Sequence, residues 1–215
     1  MIVSDEVGEE AILIAYAESE MFSGRWAEGV GGHLTQAVAA RVRYSPVPEW
    51  SDEDRRAVLG AIRELRPPLL EPLLHLEVRW FASSTAPTEL PTLGIPALRE
   101  LQNLAPDGRL GTLVASLEKG RDTPDAEFSG AFRRIRASFD PAKAHGRPCL
   151  VAESRDGPYT VFEGMTRLAA TLSAVKSGRR VSDPVPTFLG VTARLDEWGF
   201  AQPSGDPTPE RPAPD

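Results

Sequence analysis

Five consecutive residues, Glu163-Gly164-Met165-Thr166-Arg167, place an acid, a glycine, a hydroxyl and a guanidinium at the joint between a strand-like run and a helix-like one. That joint suits an anion. The first N–H groups of a helix lack partners within it and point outward. The helix dipole adds positive potential at the same place. Gly164 leaves room for a phosphate near the backbone, Thr166 can donate from its hydroxyl, and Arg167 can hold two phosphate oxygens in a planar fork. Glu163 can hold a magnesium ion or act as a general base. Plain structural uses stand beside these. Gly164 fits a tight turn, Thr166 a helix cap, Met165 a core position, and Arg167 a salt bridge to Glu163 or Glu153.

A second acid, Glu89, follows "SST" (83–85) after the first strand of the same region, where loops of α/β sheets often carry ligands. It is the other candidate catalytic residue. His33, His75 and His145 are scattered, without metal-ligand spacing to Cys or acids, so no zinc site is expected. Two basic clusters, "FRRIR" (132–136) and "KSGRR" (176–180), fit solvated faces or a phosphate-backbone contact. The chain carries no Walker A run, dinucleotide fingerprint or nucleophile elbow.

The elements that would position the box follow from periodicity. "YTVFE" (159–163) and "CLVAES" (149–154) flank Asp156-Gly157, a hairpin signal. Met165, Leu168, Ala169, Leu172 and Val175 give the helix after the box a buried face, ending at Gly178. Upstream, "HLEVRWF" (75–81) alternates as a strand, "DGRLGTLVASLEKG" (107–120) and "TPDAEFSGAFRRIRASF" (123–139) read as amphipathic helices, and "PTELPTLG" (87–94) as a short helix or turn. "PVPTFLG" (184–190) reads as a last core strand and "TARLDEWGF" (192–200) as a closing helix.

Residues 1–74 read as an all-helical extension. Its clearest helix begins at Ser51, with Asp54 completing a capping box and Val58, Leu59, Ile62 and Leu65 sharing a face. Residues 9–22 read as helix and also fit a strand, and a further helix starts near Leu34. The expected architecture is therefore α+β: a mixed-sheet domain over 75–201, the helical extension before it, and a disordered proline-rich tail at 202–215.

Bulk properties narrow the function. A chain of 215 residues with net charge -7 lacks the basic balance of a general nucleic-acid binder. One cysteine, Cys149, forms no internal disulfide. The acidic start and the short apolar block "AILIAYA" (11–17) match neither a signal peptide nor a membrane span, so a cytoplasmic protein without a membrane partner is expected.

The order and wording of residues 75–200 resemble the ParB/sulfiredoxin-like superfamily. The resemblance is carried by "EVRWFASSTAPTEL" (77–90), the helix "LVASLEKG" (113–120), the hairpin running into "VFEGMTRLAA" (161–170), and the ending "VPTFLGVTARLDEWGF" (185–200). It is nearest to ParB-like proteins with an "EGxTR" box. The resemblance implies a nucleotide's phosphates at the box. Gly164 and Arg167 carry over residue by residue, and Thr166 stands as a phosphate donor. Met165 and Thr166 occupy the places where ParB proteins carry a glutamate and an arginine, and Met165 that of the sulfiredoxin cysteine. The expected partner is a nucleotide or other phosphorylated small molecule. If the protein is an enzyme, Mg²⁺-dependent phosphoryl transfer or nucleotide hydrolysis follows most directly. A DNA-associated module and a non-catalytic interaction protein are the alternatives.

Overall fold

The computed structural model describes residues 1–23, 26–45, 47–121, 126–138 and 146–201. In chain order its elements are β1 (Ile2–Val7), α1 (Glu9–Ser23), α2 (Gln36–Tyr44), α3 (Asp52–Leu65), α4 (Glu71–Leu74), β2 (Arg79–Thr85), α5 (Arg99–Gln102), α6 (Leu110–Glu118), α7 (Ala126–Ser138), β3 (Cys149–Ala152), β4 (Thr160–Glu163), α8 (Met165–Lys176) and β5 (Val185–Val191). This is the α+β class with a mixed sheet that the sequence leads one to expect.

The sheet order is β1-β2-β5-β3-β4. Only β3 and β5 run parallel, with Cys149 opposite Phe188, while β1–β2, β2–β5 and β3–β4 are antiparallel. Side chains alternate across the sheet, and the alternation sorts two cores. Cys149, Val151, Phe162, Trp80 and Phe188 pack with Ile12, Leu13, Val58 and Ile62 of α1 and α3. Leu150, Ala152, Val161 and Leu189 pack with Leu113, Leu168 and Leu172 of α6 and α8. All four residues of β3 are buried, as a strand covered on both faces requires.

Three local expectations change. Residues 1–74 are not all helical, because Ile2–Val7 forms an edge strand on β2. Its "IVSDEV" has no clean alternation, and an edge strand beside solvent needs none. The strand expected from His75 begins at Arg79, because α4 and a positive φ of 50° at Glu77 break the extended run. Leu76 still enters the core, from a turn. The closing helix is one 3-10 turn, Leu195–Trp198. The proline-rich tail, His145 and the Thr123-Pro124-Asp125 helix start lie outside the described residues.

Candidate functional site

Strand β4 ends at Glu163 and α8 starts two residues later, so the box is a one-residue corner. Gly164 makes it with φ 78°, a left-handed conformation costly to side-chain-bearing residues. A Cβ there would lie 2.9 Å from Pro148 Cα and 3.0 Å from Arg167 Nη2. The glycine therefore lets two chain segments and a guanidinium meet. No side chain caps α8. Glu163 Oε1 accepts from the Gly164 N–H at 2.7 Å and from Ser19 Oγ of α1.

Arg167 turns back into the protein and is 7% exposed. Its neighbours among the described residues include Glu163 at the end of β4, Cys149 on β3, Glu18 on α1, and Gly146 before β3, whose missing Cβ would lie 2.4 Å from Arg167 Nη1. Burial pulls the guanidinium's pKa down, and the adjacent Glu163, Cys149 and Glu18 oppose the shift. Burial pushes the Cys149 thiol well above its ordinary range, with Glu163 adding to the effect. Cys149 is accordingly an inert thiol.

Glu18 is the residue the sequence reading missed. It is half-buried, and burial raises its carboxyl above the usual range despite the nearby Arg167 and Arg147. It lines a groove of about 590 Å³ together with Gly8, Glu10, Arg55, Leu59, Arg147 and Phe188. That volume is within the range of small-molecule sites, roughly 300–1,000 Å³. Arg63 of α3 reaches Glu9 of α1 at 3.6 Å. Arg55 of α3 lines the groove, and its Nη2 donates to the Val47 carbonyl at 3.0 Å. Arg147 stacks over the Phe188 ring, 5.2 Å from its centroid. The groove therefore brings Arg147 near Glu18, with the buried Arg167 within electrostatic reach of the same carboxyl. It also carries Glu10. Only the fold makes this visible, because "YAESE" in the sequence looks like the solvated end of a helix.

The structure distributes the expected site residues unequally. Glu163, Gly164 and Arg167 meet at the corner, while Met165 and Thr166 are half-buried on the first turn of α8. Glu89 is engaged elsewhere: its carboxylate accepts from the Ala86 N–H at 2.9 Å and from the Met1 amino group. Those two partners hold it below the usual carboxylate range. None of its hydrogen bonds reaches the 163–167 corner. Arg133, Arg134 and Arg136 lie exposed on α7, and Arg179 and Arg180 lie beyond α8. An acid, Glu118, sits between the clusters, bonded to Lys176 Nζ at 2.7 Å and near Arg136. Among the described residues no three His, Cys, Asp or Glu side chains converge as a metal-holding group, and no helix is long and apolar enough to cross a membrane.

Comparison of the chain with family models, curated proteins and solved structures finds no match. What fold and site define together is an α+β domain with a mixed polar and apolar groove lined by α1, α3, Arg147 and Phe188 of β5, and a buried arginine near its Glu18.

Proposed function

We propose that this protein binds a nucleotide or another phosphorylated small molecule. The phosphates lie at the Glu18 end of the groove, where Arg147 and, from the 163–167 corner, Arg167 are within electrostatic reach. One observation carries the reading: Arg55 and Arg147 line a ligand-sized groove together with Glu18, and the buried Arg167 of α8 lies within electrostatic reach of the same Glu18. Guanidiniums on separate elements suit phosphate, because each offers a fork of donors from a different direction. The corner adds the positive end of the α8 dipole. The apolar stretch between the ends, with Ala11, Ile14 and Leu59, suits a ring or sugar. The ParB/sulfiredoxin-like wording of the box agrees with this assignment.

The proposal is confined to binding. Glu163, the candidate base or metal holder, is tied to Ser19 and Gly164. Mg²⁺ fits here only in company with the ligand's phosphate oxygens, as is usual for that ion.

Calorimetry with ATP, ADP, CTP and GTP, with and without Mg²⁺, tests the reading. At least one should bind, and Arg147→Ala should weaken it by about ten- to a hundredfold, the loss expected for a charge-assisted contact. Absence of binding by all four, or unchanged binding by both Arg147→Ala and Arg55→Ala, would overturn it.

A further inference from the structure

Glu18 is an acid in a place that otherwise collects cations, with Arg167 and Arg147 within electrostatic reach. Arg167 comes toward it from α8, Arg147 from the segment before β3, and Arg55 shares the groove from α3. Cys149 on β3 is within electrostatic reach. Glu163 on β4 sits on the far side of Arg167, and Glu10 lies two turns away on α1. Among the described residues Glu18 neither accepts a hydrogen bond nor closes a salt bridge. Its Oε2 lies 3.5 Å from where a Gly146 Cβ would be, a place that Arg167 Nη1 approaches to 2.4 Å.

An ionised carboxylate at that end would repel a phosphate held by Arg55 and Arg147. A carboxylic acid would instead donate to it, since a protonated carboxyl carries one O–H donor. Resting on the phosphate-binding reading above, we infer that Glu18 is the third ligand group of this groove: it takes up one proton from solvent as the phosphorylated ligand binds and donates that proton in a hydrogen bond to a phosphate oxygen. Desolvation already favours the acid form before any ligand arrives, and the phosphate's charge drives the shift further.

The sign is fixed by linkage. A group that gains a proton on binding makes binding strongest at low pH. Affinity then falls by up to about tenfold per pH unit between the pKa of free Glu18 and that of the liganded form.

The experiment is calorimetric titration of ATP, CTP and GTP from pH 5 to 8 in EDTA, in wild type and Glu18→Gln. Comparing the two proteins with the same nucleotide cancels the nucleotide's own titration. The expected result is a wild-type affinity that drops with pH relative to Glu18→Gln, which overtakes it near pH 8. Repeating the wild-type titration in buffers of different ionisation enthalpy counts the protons taken up, and needs no variant to fold. Uptake should exceed what the nucleotide alone accounts for by up to one proton. Parallel pH profiles with no excess uptake would overturn the role of Glu18 and leave the groove reading standing. No binding of any nucleotide at any pH, in either protein, would remove the reading beneath it.

Discussion

At the start of α3, Ser51 and Asp54 answer each other. Ser51 Oγ accepts from the Asp54 N–H at 3.1 Å, and Asp54 Oδ2 takes the Ser51 N–H at 3.3 Å. Arg41 adds a bond to Asp54 Oδ1 at 2.5 Å. These partners, Arg41 foremost, hold the Asp54 carboxyl down at about 2. At the start of α8 no side chain caps the helix; Gly164 turns the chain and Arg167 folds beneath it. The nearby acid on α1, Glu18, is pushed the other way, by desolvation. Both regions contain a helix N-terminus, acids and an arginine. At α3 the capping acid Asp54 is answered by Ser51 and Arg41, which is how a purely structural terminus looks. At α8 the charges are gathered from distant parts of the chain, and the groove-lining Glu18 has no hydrogen-bonded partner among the described residues. Partner inventory thus separates the two helix starts.

The strongest way to test this contrast is to remove the buried cation. Arg167→Met leaves Glu163 and Glu18 without their common neighbour, and breaking a buried charge set costs about 3–5 kcal/mol. Chemical denaturation should show a loss of that order, and NMR titration should place Glu18 higher than in wild type with Asp54 unmoved. A loss below about 1 kcal/mol would mean that Arg167 is far less integral to the corner than its burial indicates.

Gly164→Ala comes next. It places a Cβ at positive φ and 2.9 Å from the Pro148 backbone, so a cost of about 1–2 kcal/mol or more is expected from backbone strain alone. Ser51→Ala removes only a local cap and should cost about 1 kcal/mol. Thermal melts of the pair rank them. A larger loss from Ser51→Ala would reverse the claim that the α8 corner is the more constrained terminus.

These residues also show what was legible in the chain. The Ser51–Asp54 capping box could be read at once because its partners are three residues apart. The hairpin into Gly164 and the buried face of α8 could be read because their signals, Asp156-Gly157 and the 3.6 period, are also local. Glu18 could not. Its character is set by Arg147 and Arg167, more than a hundred residues away in the chain, and by the groove walls. Strand β1 was hidden for a related reason: half of "IVSDEV" is polar, and only its pairing with β2 defines it. Glu89 illustrates the converse. Its place after β2 resembles a ligand loop, but Ala86 and the Met1 amino group occupy its carboxylate.

The smallest effect separates the two acids by sign. The folded pKa of Asp54 is depressed, so its contribution to stability is present above the unfolded value of 3.8 and is lost as pH falls toward about 2. Glu18 has a raised folded pKa, so the unfolded state gives up its proton first. Its contribution is complete below the model-peptide value of 4.5 and declines as pH rises through the higher folded value. Glu18→Gln should therefore make the unliganded protein slightly more stable at neutral pH, by about 0.5 kcal/mol or less once solvent screening at a half-exposed site is allowed for. It should also flatten the decline above pH 4.5, whereas Asp54→Asn should cost stability at pH 7 and lose that effect near pH 2. Urea midpoints from pH 3 to 8 for both variants would resolve the slopes. A Glu18→Gln protein less stable than wild type at pH 7 would mean that the carboxylate is already answered within the fold, and the contrast between the two helix starts would fail at its most informative residue.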